Sequence, residues 1–294
     1  MTMKILICND GSEQAEQAIK LAVTIAAGCQ AETTLLGISE STGESKPLLD
    51  SLKRAQALFE DRKIRAELII KSGNPIEEII KRTEEASYDL VIIGAARKST
   101  RGAFWMSSKS FKIIKEIKPA VLSVAGKVTA IKRVLICSGG KRYIDNAVRL
   151  AGEISRAVGA SVALLHVLPD PPAIYASFRR SEETVSWLLG SRTELGINLR
   201  RAKETLESLG VTAEVHLRHG PVLEEILREI HQSHYDLVVT GSALSRSLRT
   251  YVLGDISREI VNRINCAVLV VRSQEKQMDL RHSLKGWLGH VKTG

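Results

Sequence analysis

The chain has 294 residues, 44% of them hydrophobic and 26% charged, which excludes a wholly disordered, fibrous or disulfide-scaffold protein and is long enough for two domains with separate cores. Aromatic residues, at 4%, are too scarce for a stacking platform on single-stranded nucleic acid. The net charge of +9 is compatible with a nucleic acid, an anionic membrane face, a phosphate ligand or simple solubility.

The first apolar run, Ile5-Leu6-Ile7-Cys8, ends at Asn9-Asp10-Gly11, too soon for an export signal. No stretch approaches the roughly 18 apolar residues of a spanning helix, so no integral membrane segment is expected. Cys8, Cys29, Cys137 and Cys266 form no CxxC pair, and the seven histidines show no metal spacing. A cytoplasmic protein without a metal is the expectation.

The same run returns as Val134-Leu135-Ile136-Cys137, and Ala18-Ile19-Lys20-Leu21-Ala22 returns as Ala147-Val148-Arg149-Leu150-Ala151, both at an offset of 129. Further on, Gly73, Glu77-Glu78-Ile79 and Tyr88-Asp89-Leu90-Val91 return at Gly220, Glu224-Glu225-Ile226 and Tyr235-Asp236-Leu237-Val238, at an offset of 147. The chain is therefore a tandem repeat, with 18 extra residues in the second copy near 169–196 and a boundary near Gly126 to Ile131.

In chain order, strands are predicted at Lys4 to Cys8, Thr33 to Ile38, Ala66 to Lys71, Leu90 to Ile93 and Ala120 to Val124. Copy two gives Arg133 to Cys137, Ser161 to Val167, Ala213 to Arg218, Leu237 to Thr240 and Ala267 to Val271. Segments of helical period lie between them. Continuous apolar strands alternating with helices predict an α/β class: two tandem doubly wound domains, each a five-stranded parallel sheet with helices on both faces. The domains run over 1–127 and 131–272, and a tail follows over 273–294. Ligands of such sheets sit beyond the carboxyl ends of the strands where strand order reverses, after strands one and four of each copy.

The Asn9-Asp10-Gly11-Ser12-Glu13 turn, Gly73-x-Pro75, the Asp-Leu-Val strands ending at Gly94 and Gly241, and the apolar last strands together resemble a tandem universal stress protein over nearly all of residues 3 to 272. That resemblance implies ATP or another adenine nucleotide as ligand, and two copies that pair as protomers of a dimer do. It also implies a phosphate motif after strand four, glycine-rich and closed by Gly-Ser or Gly-Thr, because glycines open main-chain N–H groups to phosphates. Both copies depart from it. Copy one has Gly94, Arg97 for the second glycine, and Ser107-Ser108 followed by Lys109 and Ser110; copy two has Gly241, Leu244 and Gly254-Asp255.

By this resemblance Asp10 holds the base or ribose end in copy one, with Gly94, Ser107, Ser108 and Ser110 at the phosphate end and Arg97 and Lys109 supplying charge. Against this, Asp10 is equally read as the N-cap of the first helix and Gly94 and Gly241 as strand-exit glycines. Copy two is the weaker site: Ser138-Gly139-Gly140-Lys141 in place of the acidic turn, with Gly241 and Gly254 downstream. Two glycines and a lysine opening a helix cradle an anion.

The leading expectation is thus a non-catalytic stress-response module that binds or senses an adenine nucleotide, better preserved in copy one. A protein-interaction scaffold without nucleotide is the alternative, and an ATP-using enzyme built on Ser138 to Lys141 the third. The insertion, with Trp187, Leu188 and Leu189, is read as a packed helix or a lid. The tail places Leu280, Leu284, Trp287, Leu288 and Val291 at helical spacing beside basic residues. It reads as an amphipathic segment for a homo-oligomer, a protein partner, a membrane surface or the chain's own body. No groove-reading motif points to nucleic acid.

Overall fold

Alternate residues of the apolar strands face opposite ways, and this period of two organises the whole molecule. The structure is a computed structural model that describes residues 2–40, 46–95, 97–100, 103–106, 108–126, 130–140, 144–168, 184–244, 251–252 and 254–272. Copy one comprises β1 (Lys4–Asn9), α1 (Glu13–Cys29), β2 (Glu32–Ser39), α2 (Lys46–Asp61), β3 (Ala66–Ser72), α3 (Pro75–Glu85), β4 (Leu90–Gly94), β5 (Arg97–Thr100), β6 (Ala103–Met106), α4 (Ser108–Glu116) and β7 (Ala120–Val124). Copy two comprises β8 (Arg133–Ser138), α5 (Asp145–Val158), β9 (Ser161–Leu168), α6 (Val185–Gly190), α7 (Glu194–Ser208), β10 (Ala213–His219), α8 (Val222–Ser233), β11 (Leu237–Leu244), β12 (Tyr251–Val252), α9 (Asp255–Arg263) and β13 (Ala267–Arg272).

All ten predicted strands form, and each copy is a parallel five-strand set. The two sets are not separate sheets. They join in the order β10-β9-β8-β11-β13-β7-β4-β1-β2-β3, with β12 added antiparallel to the end of β11. The junction of β7 with β13 is antiparallel, pairing Leu122 with Leu269. Each domain's last strand would otherwise leave an apolar edge of unpaired backbone, and each covers the other's.

Leu122 and Leu269 are equivalent residues of the two copies, 147 apart, and so are Gly28 and Ala157, 129 apart. A Cβ on Gly28 would lie 2.3 Å from the Ala157 carbonyl oxygen, so glycine is what lets α1 and α5 cross closely above the seam. An approximate two-fold axis therefore runs through both contacts, as expected of copies that pair like protomers.

The expectation of one core per domain is corrected. Two cores exist, but the sheet divides them by face. Ile5, Ile7, Leu122, Val134 and Leu269 pack under α1, α2, α5 and α7, while Leu6, Val91, Val121, Leu135 and Val268 pack under α3, α4, α8 and α9. Both layers cross the seam. Arg272 on β13 adds a polar tie, its guanidinium donating to the carbonyls of Ile114 and, at 2.7 Å, Ile117 at the end of α4.

Several repeated motifs are structural. Asp89 accepts the Lys4 N–H at 2.8 Å, and Asp236 accepts those of Lys132 and Arg133 at 2.8 and 3.0 Å, fastening the start of the first strand in each copy. Gly73 and Gly220, at φ +147° and +136°, make the turns that follow β3 and β10. The insertion contributes α6, which buries Leu188 and leaves Trp187 exposed; residues 169–183 and the tail 273–294 lie outside the described residues.

Candidate functional site

Strand order reverses between β1 and β4, and between β8 and β11, so each copy has a crevice at the carboxyl ends of those strands. In copy one the floor is built by three consecutive turn interactions. Asn9, 1% exposed at the end of β1, accepts the Gly11 N–H at 2.8 Å and donates from Nδ2 to the Ser51 hydroxyl at 3.1 Å. Asp10 Oδ1 accepts the Ser12 N–H at 3.0 Å, and Ser12 Oγ accepts the Ala15 N–H at 3.2 Å. Ser12, not Asp10, is therefore the N-cap of α1. The Asp10 carboxylate stays exposed at the crevice, and its Oδ2 has no hydrogen-bond partner among the described residues. A carboxylate so placed accepts from ribose hydroxyls or an amine.

The phosphate end differs more from expectation. Gly94 is glycine because α1 begins on top of it: a Cβ there would stand 2.4 Å from the Gln14 carbonyl carbon and 2.5 Å from the Ala15 nitrogen. It is a close-approach glycine, required by the start of α1 whether or not a ligand lies nearby. The stretch expected as a phosphate loop from Arg97 onward is instead a hairpin, with Arg97 paired to Met106 and Lys98 to Trp105, and its strand β6 packs on α9 of the other copy. Aromatic residues such as Phe104 and Trp105 favour strand over open loop. Ser108 and Lys109 open α4, Ser107 lies outside the described residues, and Ser110 is 4% exposed inside α4's packing.

In copy two the turn closes on itself. Ser138 Oγ accepts the Gly140 N–H at 3.1 Å, His166 Nδ1 meets the Ser138 carbonyl at 2.9 Å, and Asn198 Nδ2 donates to the Gly140 carbonyl at 3.1 Å. Gly140 has φ +75°, and a Cβ there would press on Leu195 at 2.8 Å and His166 at 2.9 Å. Burial lowers the pKa of His166, outweighing its backbone hydrogen bond, so the ring is held neutral. Helix α5 runs from Asp145, whose carboxylate pairs with Arg201 at 2.5 Å. Gly139 is exposed, and Lys141 lies outside the described residues.

Downstream, the Gly241 carbonyl accepts from the Ser257 hydroxyl at 2.9 Å. Gly254 is an uncapped N-cap of α9 whose Cβ position meets nothing within 4 Å among the described residues, and Asp255 stands exposed in the first turn. A carboxylate there answers the helix dipole that a phosphate would otherwise use.

Sequence reasoning missed Asn9, Ser51 and Asn198. The repeat offsets held the signal: Asn9 matches Ser138 and Ser51 matches Asn198, so the two polar residue types trade places between copies. A cleft of ≈ 800 Å³ lined by Gln30, Thr34, Arg62, Arg65 and Glu67 opens at the amino ends of β2 and β3, away from both crevices. Among the described residues no group of His, Cys, Asp and Glu is placed to hold a metal, and no helix is long and apolar enough to cross a membrane.

The family model of the universal stress protein family matches this chain twice, over residues 1–124 and 130–272. The chain belongs to the universal stress protein family. The universal stress protein E homolog of Haemophilus influenzae is 21% identical over 265 residues, covering 83% of each chain. Universal stress protein YxiE of Bacillus subtilis is 25% identical over 145 residues, covering 48% of this chain and 98% of its own. A solved universal stress protein from Archaeoglobus fulgidus superposes with a TM-score of 0.65 over 92% of this chain and 99% of its own, at 19% identity. The Archaeoglobus structure agrees with the α/β fold over both copies.

Proposed function

We propose that this universal stress protein is a non-catalytic, cytoplasmic stress-response module that binds an adenine nucleotide, such as ATP, through its first copy alone. The observation that carries the reading is Asp10: an exposed carboxylate, oriented by its own turn, at the strand-order reversal of copy one, where copy two has a turn closed by His166, Leu195 and Asn198. Asp10 takes the base or ribose end. The start of α4 at Ser108 and Lys109, with Arg97 on β5, supplies the positive end for phosphates. Calorimetric titration of the full chain with ATP, ADP and AMP tests this. Heat lost on Asp10→Ala but kept on Gly139→Asp supports it; no heat with any nucleotide, or loss only in the Gly139 variant, overturns it. Steady ATP consumption above a metal-only blank would overturn the non-catalytic part.

A protein-interaction scaffold is the second reading. The observation favouring it is the β5–β6 hairpin, which takes the place of a phosphate loop and spends itself on α9.

A further inference from the structure

The outer strands β3 and β10 occupy equivalent places in the two copies but are finished differently. Beside β10 lies α6, and Val215 is buried. Its charged residues are also engaged: Arg218 Nε donates to Glu229 at 2.6 Å, and Glu214 lies 3.3 Å from His216. Copy one has no counterpart of α6 among the described residues. The β3 residues that match Val215 and Leu217 are Leu68 and Ile70, 36% and 41% exposed. Strand β3 pairs with β2 from Ala66 to Ser72, and among the described residues no strand lies beside the backbone donors and acceptors of its other side. Lys71 has no ion-pair partner among the described residues. A long exposed edge with apolar side chains is a template for another strand.

The sequence of that edge is self-complementary. When Ala66-Glu67-Leu68-Ile69-Ile70-Lys71-Ser72 is laid antiparallel on a second copy about Ile69, Glu67 falls opposite Lys71 and Leu68 opposite Ile70, at both ends of the pairing. Strand alternation puts Glu67, Ile69 and Lys71 on one face and Leu68 and Ile70 on the other, so every match is between same-face neighbours. We propose that β3 is a homodimerisation edge, at which two copies of the chain join by antiparallel β3–β3 pairing and carry the sheet from one molecule into the next. Two Glu67–Lys71 ion pairs set the register, and Leu68 and Ile70 supply the apolar contact. The contact is isologous and closes at two chains. Inside each chain, β7 and β13 already join equivalent strands in the same antiparallel manner.

Sedimentation equilibrium of the full chain over about a hundredfold range of concentration reads the association directly. The expected result is a reversible monomer–dimer equilibrium, weakened at least about tenfold by Lys71→Glu or by Glu67→Lys, each of which sets like charges opposite one another. An equimolar mixture of those two variants should regain the dimer, because every cross-strand pair then has opposite signs. Ile70→Lys, at an exposed position, should weaken it as well. A chain that stays monomeric throughout overturns the proposal, as does dimerisation unchanged by Lys71→Glu and Ile70→Lys. Failure of the two folded charge variants to associate when mixed overturns it too. Should Glu67→Lys not fold after losing its contacts with Thr34 and Arg82, Lys71→Glu and Ile70→Lys decide by themselves.

Discussion

The Asn9 amide and the Ser51 hydroxyl meet at 3.1 Å beneath the first crevice, and the same two places in copy two hold Ser138 and Asn198. The pair fastens the strand-one turn to the second helix of its layer in copy one. In copy two Asn198 does the same by reaching the Gly140 carbonyl at 3.1 Å. Ser51→Ala leaves a buried amide donor without this partner and should cost about 1–2 kcal/mol in urea unfolding. The exchanged double variant Asn9→Ser with Ser51→Asn should recover part of that loss. Additive effects of the two changes, with no coupling in a double-mutant cycle, would show that the pair is not a unit.

Gly94→Ala should destabilise the protein by about 1–3 kcal/mol, because the added methyl meets α1 backbone that cannot move aside without displacing the helix. Gly254→Ala, made where nothing among the described residues stands within 4 Å, should cost less than about 1 kcal/mol, the loss of a favourable cap residue. Thermal melts of the two variants side by side check the contrast. Equal effects would mean that Gly94 is not held by close packing.

Glu229 is a buried acid on α8. Burial works to raise its pKa, but donors from Arg218 at 2.6 Å, Tyr235 at 2.8 Å and His216 at 2.9 Å prevail and hold it at about 2. A folded-state value below the usual 4.5 means that its contribution is fully present above the unfolded pKa. That stability, on the order of 3 kcal/mol, drains away as pH falls from about 4.5 toward 2. Glu229→Gln should lower stability at neutral pH and flatten the acid limb of the stability profile. An acid limb of unchanged steepness would remove Glu229 as its source.

Because both hydrophobic layers cross the seam, the two copies should unfold as one cooperative unit, giving a single calorimetric transition. Gly28→Val forces α1 from α5 at the two-fold contact. It should cost at least about 1–3 kcal/mol and broaden or split that transition. Two well-separated transitions in the unmodified chain would contradict the shared-core arrangement.

The thiols of Cys8 and Cys137 are both pushed up by burial, Cys137 to about 12, so almost no thiolate forms at pH 8. Native protein should react with a thiol reagent far more slowly at these two positions than urea-unfolded protein, read by mass mapping of the labelled sites.

The repeat, the ten core strands and the two crevices are legible in the order of amino acids, because each rests on local signals: a period of two, turn residues and fixed offsets between copies. Asp10 is legible there too as the residue of interest, though not its neighbour Asn9, whose partner Ser51 is far along the chain. Long-range packing is what makes the two sheets one, divides the cores by face and not by copy, and turns the stretch after Gly94 into a ribbon against the other copy. A strand that is apolar on both sides announces that it will be buried, not which strand will lie beside it. The pairing of Leu122 with Leu269 is set by the shape of two finished half-sheets meeting edge to edge, and no window of sequence contains both.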